Sequence, residues 1–336
     1  MTTRTRFFLL MVILVFAPCS VSADETVIQG LSMGTTYTIS ITQDLEPREK
    51  KKLAQKIQML LEDFSQEFST YDTTSKISIF NRTKSTKPFP VSARFARLTT
   101  LAAEIAKKTK GAFDPTIEPV AALWGFGVNK SRGTAPGQTE IDHALSTVGI
   151  TKLAVIQRPP SLRKLNPQLQ LDLSAMAKGF GVDEVSRLLN REGFRNYMVE
   201  IGGEIHARGR NSKGDVWRIG IAVPDRTTNK LEAIVKLSNT SIATSGDYQK
   251  YVEIDGDRVA HIIDPRNGKP ISHKLASASV LHDDCAIADA FATALMVVGH
   301  REAKEMAEKL ELPVLLIVRE AGGFVTWTSK QWPQKK

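Results

Sequence analysis

The sequence predicts an α+β fold: a mainly antiparallel sheet with helices packed against it. Strand-like and helix-like runs are mixed without the regular strand–helix–strand alternation that builds a parallel sheet. From residue 197 onward short strand-like runs follow one another closely, and Asp255-Gly256 is a hairpin turn pair between two of them. No repeat and no long low-complexity segment interrupts this order.

The first elements expected are strands at 26–28 and 36–41, where residues alternate in character. Residues 46–68 carry Leu53, Ile57, Leu60, Leu61, Phe64 and Phe68 at the spacing of an amphipathic helix. A second helix is expected over 93–108, stopped by Gly111. Residues 129–137 are polar, with Gly and Pro, and read as a surface loop. A short strand at 169–173 leads into a helix through Val182, Val185, Leu188 and Leu189, closed by Gly193. Strands are then expected at 197–201, 204–208, 217–223, 231–237, 241–244, 251–254 and 258–263, and again at 276–281. A helix over 285–299 follows, and 315–318 with 324–328 close the chain as a hairpin.

The N-terminus is set apart from this fold. Arg4 and Arg6 precede an apolar run from Phe7 to Ala17, and Val21-Ser22-Ala23 is a small-x-small cleavage signal. The run falls short of the roughly 20 residues of a membrane-spanning helix. Residues 1–23 are therefore expected to be a secretory signal peptide and residues 24–336 the mature domain, working outside the cytoplasm. Cys19 is an alternative, lipidated end that would anchor the chain at a membrane surface, although Phe16-Ala17-Pro18 matches a lipidation signal poorly. Without Cys19 only Cys285 remains, so no internal disulfide is expected. The formal charge of +9 falls to about +7 when Arg4 and Arg6 are removed. The basic residues are scattered, with short clusters at 48–52 and 107–110 and no aromatic-interleaved stripe, which argues against nucleic acid.

Residues 285–299 are apolar on almost every face, the mark of a buried helix. Within it Asp289 and Thr293 stand four residues apart, on one face. A buried carboxylate needs a cation, a metal or strong donors. Two hard oxygen ligands suit a magnesium ion that also holds a phosphate. The helix alone leaves a second reading open, in which Asp289 is a helix N-terminal charge and Thr293 bonds its own backbone. Familiar nucleotide and hydrolase signatures are missing: there is no P-loop, no nucleophile elbow and no zinc spacing, and Gly179-Phe-Gly181 lacks the third glycine of a dinucleotide fingerprint. What remains is a series of polar, glycine-containing clusters: Met33-Gly34-Thr35-Thr36-Tyr37, Gly111-Ala112-Phe113-Asp114-Pro115-Thr116, Leu123-Trp124-Gly125-Phe126-Gly127, Leu171 to Gly179, Glu200-Ile201-Gly202-Gly203-Glu204, Thr244-Ser245-Gly246-Asp247-Tyr248, and His261 to Pro270. Each has a plain reading as a turn or a cap: Asp172 as the cap of the helix after it, Gly202-Gly203 and 264–268 as turns, Trp124 and Phe126 as core. Together they supply glycine N–H groups, a helix N-terminus, a cation at Lys178 and buried carboxylates, the ingredients of a phosphate and metal site.

In this order and at these separations the clusters resemble the FAD:protein FMN transferase family, also called the ApbE family, from about Ile28 to Trp327. The most specific pieces are 33–37, Ala-Lys-Gly-Phe-Gly-Val-Asp at 177–183, His-Ile-Ile-Asp-Pro-Arg-Asn-Gly at 261–268 and Ala-Asp-Ala-Phe-Ala-Thr at 288–293. The resemblance implies a T-fold-like α+β architecture. It implies FAD as substrate, Mg2+ as cofactor, and transfer of FMN to a Thr or Ser hydroxyl of an acceptor protein, a subunit of a redox complex, with release of AMP. It also implies that Met33, Ala112, Phe113, Asp114, Asp172, Lys178 and, through its backbone, Ile263 contact FAD. Asp289, Thr293 and the carbonyl of Ala175 would ligate magnesium. Some relatives carry Thr at the Ala175 position and an acidic residue at Lys178, so those two roles are the least transferable. His261 matches a family histidine near the reacting phosphate, a general base or a phosphate ligand. Two other readings stay open: a pyrophosphatase that turns FAD into FMN and AMP, and a non-catalytic periplasmic flavin carrier.

Overall fold

The computed structural model describes residues 25–126, 133–225, 227–228, 230–248, 251–254 and 257–334. The expected signal peptide, Cys19, Gly127, residues 129–132 of the expected 129–137 loop and the Asp255-Gly256 turn lie outside the described residues. The chain begins with β1 (Thr26–Ser32), β2 (Thr35–Ile41), α1 (Pro47–Phe68), α2 (Lys76–Arg82), β3 (Phe89–Pro90) and α3 (Ala93–Lys108). It continues through α4 (Glu118–Leu123), α5 (Gln138–Leu145), a 3-10 turn at Ile150–Lys152, β4 (Leu153–Gln157), β5 (Pro160–Lys164) and α6 (Ser174–Arg191). There follow β6 (Tyr197–Ile201), β7 (Glu204–Arg208), β8 (Trp217–Ala222), β9 (Leu231–Leu237), β10 (Thr240–Gly246), β11 (Tyr251–Ile254) and β12 (Asp257–Ala260). The last elements are β13 (Ile263–Asp264), β14 (Lys269–Pro270), β15 (Leu275–His282), α7 (Cys285–Lys309), β16 (Val314–Glu320) and β17 (Gly323–Thr328).

Among the described residues the largest sheet has eight strands in the order β1-β2-β6-β7-β10-β15-β16-β17, every neighbour antiparallel. Period-2 alternation divides its side chains between two faces. On β6, Tyr197, Val199 and Ile201 join the core under α1 and α6, while Met198 joins Ile205 and Ala207 of β7 in a second core under the β8–β9 hairpin. The same alternation turns Glu204 of β7 and Ser245 of β10 away from that second core, toward the helices. The main core is completed by α3, α6 and α7.

Two hairpin tips meet at one end of this sheet. Met33 and Gly34 join β1 to β2 with φ of 54° and 74°, and Gly202 and Gly203 join β6 to β7 with φ of 60° and 100°. Two-residue hairpins favour turns with both central residues at positive φ. The tips are adjacent because Tyr37 pairs with Ile201, and Gly202 N–H donates to the Thr36 carbonyl at 3.1 Å. Gly202 must be glycine for a second reason: a Cβ there would lie 2.8 Å from Thr35 Cγ2 and 3.1 Å from Lys178 Cδ.

The α6–α7 crossing brings the helices onto the site. A Cβ on Gly179 would lie 2.4 Å from the Cys285 carbonyl oxygen, so α6 rests directly on the α7 backbone. Asp183, one turn further along α6, completes the contact. Its Oδ1 accepts from Cys285 N–H at 2.8 Å and its Oδ2 from Ala286 N–H at 3.0 Å. These are among the N–H groups that a helix start leaves without intrahelical partners, and the adjacent Asp284 supplies no side-chain cap.

Three sequence expectations need correction. Residues 169–173 form no strand; their backbone bonds to the Asn81 side chain and to loop carbonyls. Asn81 Nδ2 donates to the Leu171 carbonyl at 2.8 Å, Leu171 N–H donates to Asn81 Oδ1 at 2.7 Å, and Asp172 N–H donates to the Pro115 carbonyl at 2.7 Å. The strand-like signal is real alternation, since Leu169, Leu171 and Leu173 are all buried. The expected strand at 258–263 is broken into β12 and β13. Finally, α7 does not stop at Gly299 but resumes after a break there, with φ of 76°. His273 fills the break: its Nε2 lies 2.8 Å from the Met296 carbonyl, and its Nδ1 accepts from Leu275 N–H at 3.3 Å, which leaves Nε2 as the donor.

The α6–α7 contact predicts the cost of a single methyl group. Gly179→Ala is expected to lower unfolding free energy in urea by about 1–3 kcal/mol, the usual cost of overpacking; unchanged stability would contradict the contact.

Candidate active site

At the junction of the two hairpin tips with α6 and α7, five of the sequence-predicted residues come together. Met33 packs its sulfur over Gly181, where a Cβ would lie 3.1 Å from it. Lys178 passes its stem beside Gly202 and places Nζ 2.9 Å from Glu204 Oε1 and 3.6 Å from Asp289 Oδ2. Asp289 is 2% exposed, and its Oδ2 also accepts from Gly179 N–H at 3.1 Å. In a regular helix that N–H serves the carbonyl of Ala175, so Ala175 belongs to the same neighbourhood. Thr293, one turn after Asp289, has its hydroxyl 3.2 Å from Ser245 Oγ on β10. Neither group follows the plain reading of the helix: Asp289 is engaged by α6 rather than by its own N-terminus, and Thr293 by β10.

The electrostatics of this cluster are set by burial. Burial pushes the carboxyls of Asp289 and Glu204 up, and the Lys178 ammonium between them pulls both back. Burial works against the Lys178 charge too, but Asp289 and Glu204 overcome it and hold the ammonium above the usual lysine range. One cation thus serves two buried carboxylates. Glu204 Oε2 is buried with no hydrogen-bond partner among the described residues. Burial also pushes the Asp183 carboxyl up to about 7, against the pull of the two N–H groups it caps.

The donor set bears on which metal fits. Among the described residues no group of three His, Cys, Asp or Glu side chains converges on one point. A soft or borderline ion such as zinc therefore has no ligand set here. The Asp289 carboxylate and the Thr293 and Ser245 hydroxyls are hard oxygen donors and too few to enclose an ion. That matches magnesium, which keeps waters and shares itself with substrate phosphates.

The other predicted residues fall in two further groups. Ala112 and Phe113 are buried in the main core, so their side chains face inward. Asp114 also turns inward: Oδ1 accepts from Thr116 N–H at 2.9 Å and from its hydroxyl at 2.6 Å, and Oδ2 accepts from Ile150 N–H at 3.1 Å. The carboxylate fixes the loop that joins α3 to α4, and what Ala112 and Phe113 offer a ligand there is backbone. Asp172 is tied to this loop through Pro115 and caps α6, with Oδ1 accepting from Ser174 N–H at 2.8 Å. Beside it lie Glu118, which is 8% exposed, and Tyr71, which is largely exposed. The third group surrounds the β13–β14 turn. His261 is half-buried, with its ring centroid 6.5 Å from that of Phe126, edge to face. Ile263 packs with Val120 and Trp124, and Trp124 Nε1 donates to the Gly268 carbonyl at 2.8 Å.

Glu204, Asp183, Ser245, Glu118 and Tyr71 carry no role that their own segments announce. A usable signal exists for two of them. Asp183 shares a helix face with Gly179, and Glu204 directly follows a Gly-Gly turn at the start of a strand.

The ApbE family profile matches residues 33–316. The chain is 39% identical to the FAD:protein FMN transferase of Vibrio cholerae over 320 residues, 95% of each protein. It is 41% identical to the FAD:protein FMN transferase of Haemophilus influenzae, over 93% of this chain and 92% of that one. Among solved structures, the flavin transferase ApbE from Vibrio cholerae superposes with a TM-score of 0.84 at 38% identity, covering 93% of this chain and 99% of that one.

The Glu118 carboxyl gives a pH prediction. Burial, with the Asp172 charge beside it, pushes it up to about 8 from an ordinary 4.5. Between those values the folded chain holds a proton that the unfolded chain has lost, so folding stability falls as pH rises through the window and levels off above it. Glu118→Gln is expected to flatten that slope in urea melts from pH 5 to pH 8. Parallel slopes for both proteins would contradict the assignment.

Proposed function

The chain belongs to the ApbE family, and on that footing we propose how its site performs the family's reaction. It is an enzyme, an FAD:protein FMN transferase, with FAD and a protein as its two substrates. The reading of the chemistry rests on one observation above all: on one face of α7, a buried carboxylate is held against the first turns of α6 and a hydroxyl lies beside β10.

FAD places its pyrophosphate at the N-terminus of α6, where the helix dipole favours an anion. Lys178 adds a positive charge at the same place. Asp289 and Thr293, with the carbonyl of Ala175, would hold magnesium, which would supply positive charge to offset that of the pyrophosphate and of the departing AMP. Met33 and Asp172 border the bound nucleotide, the 112–114 loop lines its adenine side, and Ile263 contacts it through the backbone. A Thr or Ser hydroxyl of the acceptor attacks the phosphorus of the FMN half. The new bond is O–P to the acceptor, the bond broken is P–O to AMP, and the hydroxyl proton goes to His261, whose imidazole can accept it. Such transfer depends on positioning and charge more than on covalent help.

The sequence before residue 24 supports export, so the chain works in the periplasm on a subunit of a redox complex; lipid on Cys19 would hold it at the inner membrane surface. Among the described residues no helix is long and apolar enough to cross a membrane.

The test is intact-mass analysis of an acceptor domain incubated with the mature chain, FAD and magnesium. A gain of one FMN, lost with EDTA, is expected. FMN and AMP accumulating beside an unmodified acceptor would mean hydrolysis, and bound FAD with no turnover would mean a carrier. Asp289→Ala is expected to abolish transfer, and His261→Ala to slow it by roughly 10²–10⁴-fold while FAD still binds. Normal transfer by Asp289→Ala in magnesium would refute the metal assignment.

A further inference from the structure

The metal reading leaves Glu204 unexplained. It is 2% exposed, it faces the helices at the first position of β7, and one of its oxygens has no partner among the described residues. A buried carboxylate in that state is costly unless it has a use. Among the described residues its one ionic partner is Lys178, and the geometry is lopsided: Nζ sits 2.9 Å from Glu204 and 3.6 Å from Asp289. Lys178 is therefore bonded to Glu204 and shared, at longer range, with Asp289.

We propose that Glu204 is a positioning residue: it holds the Lys178 ammonium off Asp289, keeping that carboxylate open to a divalent cation, while Lys178 stands in for the cation until one binds. The inference rests on the assignment of Asp289 as a metal ligand. Three features support it. The notch at Gly202 fixes the path of the Lys178 stem, so the ammonium can shift between two carboxylates without leaving the site. Two buried carboxyl groups share a single ammonium, so either one that ionises beyond that pairing is under-compensated, an arrangement a second cation relieves. And Glu204 Oε2 lacks a donor among the described residues, which the ammonium would supply if a cation at Asp289 displaced it toward Glu204.

Glu204 and Lys178 then have opposite effects on metal affinity, and the effect of Glu204 runs through Lys178. With Glu204 neutralised, Lys178 pairs with Asp289 alone and the metal must break that pair. With Lys178 removed, both carboxylates are open and nothing is left for Glu204 to restrain.

The test is Mn2+ binding to the full mature chain, followed by electron paramagnetic resonance with and without saturating FAD. Glu204→Gln is expected to weaken Mn2+ binding about tenfold and Lys178→Met to tighten it; in the Lys178→Met background the Glu204→Gln loss shrinks to less than about threefold. Should Glu204→Gln not fold, Glu204→Asp keeps the charge and shortens its reach, and its smaller loss is likewise expected to vanish without Lys178. An equal loss in both backgrounds would mean that Glu204 acts on the metal directly, and no loss would mean it has no part; either result overturns the inference while leaving the metal site intact. A wild-type chain that binds no Mn2+ under either condition removes the metal reading itself, and the inference with it.

Discussion

The site depends on how closely α6 lies against α7. At Gly179 the two backbones touch with no side chain between them, and four residues later Asp183 caps the start of α7 with both of its oxygens. The two contacts act on different variables. Gly179 sets the separation of the helices, because a methyl group would force them apart. Asp183 sets where α7 begins, because a pair of N–H groups on one carboxylate fixes that helix along its own axis. With both set, Asp289 falls opposite the Gly179 N–H and Thr293 opposite Ser245. The chemistry is thus placed by rigid elements rather than by loops, which suits a reaction that gains most from alignment.

Electrostatic strain accumulates where this scaffold closes. Asp289, Glu204 and Asp183 are all buried, and burial pushes each carboxyl up. Asp183 is stabilised chiefly by two backbone donors, with the Arg187 charge adding to them, a structural solution. Asp289 and Glu204 share one ammonium, which leaves the cluster under-compensated. A site that binds a divalent cation together with a pyrophosphate is expected to look incomplete without them. The same cluster explains the glycine at 202: a side chain there would displace the Lys178 stem and with it the charge between the carboxylates.

Most of the fold is legible in the sequence where the signal is local. The helix over 93–108 is read to the residue, helped by Ser92, whose hydroxyl accepts from Phe95 N–H as an N-cap. The strands at 197–201 and 204–208 are equally clear, since each alternates and a Gly-Gly pair separates them. The failures are non-local. Residues 169–173 alternate like a strand but pair with the amide of Asn81, far away in sequence. Nothing near Gly299 announces that His273 will fill the break and let α7 resume. The short helix 76–82 escapes a reading by periodicity, although Ser75 caps it. The site divides the same way. Asp289 stands out because a carboxylate in an apolar helix is costly wherever that helix packs. Glu204 and Asp183 do not, because their meaning lies in which helix the sheet and the crossing bring to them.

On the proposed function Asp289 and Thr293, set by the α6–α7 crossing, would hold a metal against the pyrophosphate of FAD. Crystals of the chain grown with FAD and Mn2+, measured at the manganese absorption edge, test it most directly. The account predicts one anomalous peak about 2 Å from oxygens of Asp289 and Thr293, a distance typical of small oxygen-bound divalent ions, with the pyrophosphate beside it. A peak elsewhere, or bound FAD with Lys178 still spanning Asp289 and Glu204 and no metal between, would contradict it.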